Sequence, residues 1–152
     1  MELVLYNPFN PNIEEIELFY DGSYWFYRPF LQISINEEIP IYREENCNLI
    51  QALQFAIPFF RKELKNAFFY RKETQVLGFF NLCPHLQVPL DLDDNCFFSR
   101  NGNIICKIHG AQFSSYDGSV IHGPAKTSLY KILVEETVVG FHNFLIIKGF
   151  YK

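Results

Sequence analysis

Cys83-Pro84-His85 and Cys106-Lys107-Ile108-His109 constrain this chain more than any other stretch. The pattern is Cys-x-His, a spacer of 20 residues from Leu86 to Ile105, then Cys-x-x-His, so two loops each offer one thiolate and one imidazole. Those ligand types together suit zinc or iron, and one centre can take all four only if the spacer doubles back. The turn chemistry agrees with that requirement. Cys96-Phe97-Phe98-Ser99 and Asn103-Ile104-Ile105-Cys106 flank Asn101-Gly102. Both central positions tolerate positive φ, which predicts a two-residue hairpin that returns the second ligand pair to the first.

Two thiolates and two imidazoles can hold zinc tetrahedrally, or a [2Fe–2S] centre in which one iron takes both sulfurs and the other both rings. The spacing favours the second. Each loop of a two-loop cluster must reach both irons and so supplies one Cys and one His, and Cys-x-His is tighter than the usual zinc spacing on its side. The bland alternatives are a zinc site or a domain that has lost its cluster, and four intact ligands oppose the latter. Gly110 after His109 permits close backbone approach, while Pro84 and Pro124 stiffen the loops around the centre.

The rest of the chain reads as strands. At 152 residues it fits one domain, or one domain with an extension, and buries about two-thirds of its unfolded surface. Its 17 Phe and 9 Tyr favour bulky cross-strand packing, so the expected class is all-β. Ala67 to Tyr70 and Val76 to Asn81 predict two strands joined by Arg71-Lys72-Glu73-Thr74. A second hairpin is expected from Ala111 to Ser115 and Ser119 to Ile121 around Asp117-Gly118, followed by strands over Leu129 to Glu135 and Asn143 to Ile147. Tyr24 to Ile35 is β-prone, with Pro29 placing it at an edge or splitting it. Ile13, Ile16 and Phe19 recur every three residues, which predicts a helical turn over Ile13 to Tyr20. Cys47 to Ile57 fits either a short helix ended by Pro58 or a strand.

Charge and hydropathy exclude several classes. The net charge of −4 divides into nine acids and two arginines in residues 1–45, against eight acids and eleven bases in residues 46–152. The short cluster Arg61, Lys62, Lys65, Arg71 and Lys72 is no nucleic-acid stripe and reads as a solvated turn, with docking of an acidic redox partner as the sharper alternative. The longest apolar run, Ile50 to Phe60, contains two Gln and a Pro and is too short to span a bilayer. No signal sequence opens the chain, so a soluble and most simply cytoplasmic protein is expected. Cys83 and Cys106 are expected as reduced thiolates; Cys47 and Cys96, with no His at metal spacing, are expected as small buried hydrophobes. Asp91, Asp93 and Asp94 read as a solvated loop, His122 as a loop histidine that a proton relay would otherwise employ, and His142 is given no role.

Taken together, Cys83-Pro84-His85-Leu86 followed by Pro89-Leu90, Cys106-Lys107-Ile108-His109-Gly110-Ala111-Gln112-Phe113, Asp117-Gly118 and Gly123-Pro124-Ala125 resemble the Rieske [2Fe–2S] domain, of the small soluble ferredoxin-like type. The resemblance runs from about Asn46 to Phe150. It implies a Rieske-type antiparallel β-sandwich with a small cluster-binding subdomain over residues 46–152, and leaves residues 1–45 as an N-terminal extension packed on the domain. It implies one [2Fe–2S] cluster per chain, with Cys83 and Cys106 on one iron and His85 and His109 on the other. Gly123-Pro124 would form a third loop, and the imidazole edges would face the surface beneath Leu86 and Pro124.

The departures refine that expectation. Rieske proteins of respiratory cytochrome bc-type complexes carry a further Cys in each loop, and the matching positions here are Val88 and Ile108. The same proteins donate Ser and Tyr hydroxyls to cluster sulfurs, where this chain has Ala111 and Phe113. Fewer donors leave added negative charge less stabilised, which predicts a potential toward the low end of a span from roughly −150 to +300 mV. The potential is also expected to fall as pH rises through the histidine pKa values of the oxidised state. The implied role is one-electron transfer from a reductase to a terminal oxygenase or similar enzyme, with any catalysis belonging to the partner. Rival readings are a fragment of a Rieske oxygenase, which would need a mononuclear iron site for which only His122 and His142 remain, and a Rieske-like small subunit of a reductase.

Overall fold

The computed structural model describes residues 3–5, 16–42, 51–60, 63–84, 86–92 and 94–152, the first three through their backbone alone. Eleven strands are present among these residues: β1 (Leu3–Leu5), β2 (Glu17–Tyr20), β3 (Trp25–Ile35), β4 (Leu53–Pro58), β5 (Leu64–Lys72), β6 (Gln75–Phe80), β7 (Ile104–Ile105), β8 (Gln112–Phe113), β9 (Val120–His122), β10 (Lys131–Val139) and β11 (His142–Tyr151). The fold is all-β, with no α-helix among the described residues. Eight strands form one sheet in the order β1-β3-β11-β10-β6-β5-β4, with β2 also on β3, and β7-β8-β9 form a second, small sheet. All pairings between these strands are antiparallel except that of β1 with β3.

The large sheet rolls until β3 meets β4. Tyr27 on β3 donates its hydroxyl to the carbonyl of Pro58 on β4, and Trp25 packs edge-on against Phe60 with ring centroids 5.3 Å apart. Inside the roll lies one core, centred on Tyr27, Leu31, Phe69, Phe80, Leu145, Ile147 and Phe150. Strand alternation then builds a second core on the opposite face of β5 and β6. Ala67 and Phe69 point into the roll, whereas Phe68 and Tyr70 point outward to meet Leu90, Phe97, Phe98, Ile104, Cys106 and Phe113. The β5–β6 hairpin is thus a wall between the roll and the segments that carry Cys83 and Cys106, which is why its aromatic residues are fully buried on both faces.

Several expectations change here. Glu17–Tyr20 is a strand, because pairing with Trp25–Arg28 satisfies its backbone where an isolated helical turn would leave most of it to water. Pro29 neither splits β3 nor puts it at an edge, since β3 pairs with β11 as well as with β1 and β2. Gly149 of β11 pairs with Phe26 and Ile147 with Leu31, so β3 advances five residues while β11 advances two, and Pro29 lies in the bulged excess where no ladder donor is needed. Gly149 fits this bulge because a Cβ there would meet the Trp25 carbonyl and lie 2.9 Å from Phe26 Cα. Leu53–Pro58 is a strand, which decides the described part of Cys47 to Ile57; Cys47 itself lies outside the described residues. The β5–β6, β8–β9 and β10–β11 strands form where expected: β5, β10 and β11 are longer, β6 and β9 are shifted by one residue, and β8 is shorter, Gln112–Phe113. The turn at Asn101-Gly102 is a three-residue loop, Arg100 to Gly102, closed by Ser99 N–H to the Asn103 carbonyl at 2.8 Å, and Gly102 alone takes positive φ (84°). β3 pairs along β11, so residues of the N-terminal segment belong to the same sheet as the segment that follows.

Candidate metal centre

The two cysteine loops have one backbone design. The amide of Cys83 donates to the Val88 carbonyl at 2.8 Å, and the amide of Gln87 donates back to the Cys83 carbonyl at 2.7 Å. Cys106 repeats this with Ala111 at 2.8 Å, and Gly110 donates to the Cys106 carbonyl at 2.8 Å. The fourth residue after each Cys takes positive φ, 58° at Gln87 and 76° at Gly110, which closes the turn in both loops. A direct bond joins them: the Lys107 amide donates to the Leu90 carbonyl at 3.1 Å. Lys107 also makes an ion pair with Asp94, whose other carboxylate oxygen accepts the Cys96 amide at 2.9 Å.

Cys83 and Cys106 are each 0 % exposed, neither is in a disulfide, and both pack in the outer core with Leu90, Ala111 and Phe113. His109 is exposed, as are Leu86, Ile108 and Pro124. The third loop carries a cis Gly123–Pro124 bond and anchors through buried Ala125. His85 lies outside the described residues. Among the described residues, no three Cys, His, Asp or Glu are gathered as a single-ion site. Two buried thiols in matched, hydrogen-bonded loops, with an imidazole at the rim, fit a [2Fe–2S] cluster.

Other singled-out residues fall elsewhere. His122 is exposed at the end of β9, opposite Gln112; His142 contacts Ser34 Oγ at 3.0 Å. Cys96 is disulfide-bonded rather than a buried hydrophobe alone. Asp93, Arg61 and Lys62 lie outside the described residues. Of the rest of the basic cluster, Lys65 makes only a long, exposed pair with Glu63, Arg71 grips Glu136 with two bonds of 3.0 and 2.7 Å, and Lys72 lies 3.7 Å from the Tyr42 ring centroid and 3.9 Å from that of Tyr116. Burial lifts the Tyr70 phenol well above its usual range, with Tyr42 adding to the shift; its hydroxyl donates to the Ser115 carbonyl at 2.5 Å in the wall beneath the site.

Asp91 corrects the sequence reading most. It is not solvated but 0 % exposed, and accepts hydrogen bonds from Asn81, Gln54 and the Asn95 amide. Nearby, buried Gln51 accepts the amides of Phe97 and Phe98 at 2.6 and 3.1 Å. The signal was present in the two glutamines interrupting the apolar run Ile50 to Phe60, since a polar residue in a buried strand calls for a partner.

Residues 42–137 match the Rieske [2Fe-2S] domain family. The chain belongs to that family. Its cofactor is therefore a [2Fe–2S] cluster, which supplies reversible one-electron chemistry when bound. Among solved structures, the ferredoxin of carbazole 1,9a-dioxygenase from Nocardioides aromaticivorans IC177 is similar at 19% sequence identity and a TM-score of 0.43, over 71% of this chain and 97% of that one. No curated protein matches the chain. Among the described residues, no helix is long and apolar enough to cross a membrane.

Proposed function

We propose that this Rieske protein is a low-potential, ferredoxin-type carrier in which Cys83 and Cys106 bind one iron and His85 and His109 the other. The observation that carries this reading is the matched pair of cysteine loops, joined through Leu90 and Lys107, with buried thiols and an exposed His109. The exposed ring edge and its apolar rim, Leu86, Ile108 and Pro124, suit brief docking of a reductase and then of an oxygenase or similar terminal enzyme. Residues 46–152 form the cluster-bearing domain, and residues 1–45 are an extension packed on it. Cytoplasmic residence requires the disulfide at Cys96 to persist against a thiol-reducing pool.

The low potential follows from Ala111 and Phe113. Both are 0 % exposed and neither carries a hydroxyl. A redox titration of the wild type and of Ala111→Ser and Phe113→Tyr tests this. The expected result is a wild-type potential in the lower half of the span from roughly −150 to +300 mV, raised by each variant. A wild-type value near the upper limit contradicts the reading.

A further inference from the structure

The Asp91 carboxylate occupies the middle of a polar network beside the apolar outer core. Asn81 Nδ2 donates to Asp91 Oδ1 at 3.0 Å and to Gln54 Oε1 at 3.2 Å. Asp91 Oδ2 accepts from Gln54 Nε2 at 3.2 Å and from the Asn95 amide at 2.9 Å. Gln54 Nε2 also reaches Asn95 Oδ1 at 3.1 Å, and Asn95 Nδ2 donates to the Ala52 carbonyl at 3.0 Å. Asn81 and Asp91 are 5% and 0% exposed. A buried carboxylate is costly unless hydrogen-bonded, so a network of this kind holds its geometry firmly once formed.

Its geometry bears on both cysteine loops. The Asn81 amide, two residues before Cys83, is tied to the Asn66 carbonyl on β5 at 2.8 Å. Asn81 Oδ1 accepts the Leu90 amide at 2.7 Å, and the carbonyl of that same Leu90 receives the amide of Lys107, next to Cys106. Residue 90 is thus held on one side by Asn81 and on the other by the second loop. Asp91, the next residue, fixes Asn81 and is itself held from β4 by Gln54.

We propose that Asp91 and Asn81 are positioning residues that lock the Cys83 loop in register with the Cys106 loop, setting the separation of the two thiolates and so the retention and electronic structure of the cluster. The inference rests on the cluster reading above. Outer-sphere partners of metal ligands are worth about 10- to 100-fold in retention.

The test uses the holoprotein. Iron release to a chelator, the EPR g values of the reduced protein and far-UV circular dichroism are compared for wild type, Asp91→Asn, Asn81→Ala, Gln54→Ala and the remote control Glu135→Gln. Asp91→Asn reverses one hydrogen-bonding partner while nearly preserving volume. The expected result is a folded protein that releases iron about 10- to 100-fold faster with shifted g values, while Glu135→Gln matches wild type. A folded Asp91→Asn protein with wild-type release and g values overturns the proposal. If Asp91→Asn does not fold, Asn81→Ala and Gln54→Ala decide it in the same way: faster release with shifted g values supports the lock, and wild-type behaviour of both overturns it. Absence of an iron–sulfur signal from the wild type itself sinks the cluster reading instead, which separates the two failures.

Discussion

The ring of Phe68 lies flat on that of Phe97, with centroids 4.0 Å apart and planes 9° from parallel. Phe68 belongs to the wall strand β5 and Phe97 to the segment leading into the second cysteine loop, so this stack joins the rolled sheet to the cluster-binding subdomain. Both rings are 0 % exposed.

Phe97→Ala is therefore expected to cost about 3–5 kcal/mol, from lost burial and the cavity left against Phe68. Urea unfolding monitored by circular dichroism reads the loss. A cost below about 1 kcal/mol would mean that the subdomain does not depend on this contact.

The Arg71–Glu136 pair makes a smaller, pH-dependent contribution. Hydrogen bonding to Arg71 lowers the Glu136 pKa against opposing desolvation. A carboxylate depressed in the folded state stabilises above its unfolded value of about 4.3, and this contribution is lost as pH falls through the lower folded value. The side chains are 32% and 30% exposed, so Glu136→Gln is expected to cost no more than about 1 kcal/mol at pH 7. The difference from wild type should shrink as pH falls below the unfolded value of about 4.3; urea midpoints at pH 7 and in acid measure it, and a difference that grows on acidification contradicts the assignment.

Cys96 is expected to resist alkylation in denaturant until a reductant is added, because it is disulfide-bonded. Peptide mapping after iodoacetamide treatment reads this directly. Labelling without reductant would remove the disulfide and with it the objection to a reducing compartment.

The cysteine loops were legible because spacing and turn residues act locally: Gly110 and Asn101-Gly102 mark turns whatever the rest of the chain does. Even there the hairpin took a three-residue loop, with Gly102 alone at positive φ. Glu17–Tyr20 misled because a short segment shows the same three-residue recurrence whether it is a helical turn or an edge strand, and only pairing with β3 decides. Asp91 misled for a different reason. An acid beside Asp93 and Asp94 looks solvated, and its burial depends on Gln54 and Asn81, which lie 37 and 10 residues away. His85, the fourth expected ligand, lies outside the described residues.

The central claim is that the two loops carry a Rieske cluster with mixed thiolate and imidazole ligation. EPR of the dithionite-reduced holoprotein tests it most directly: the account predicts a rhombic Rieske signal that disappears in His109→Ala, and a colourless, EPR-silent protein containing zinc and no sulfide would contradict it.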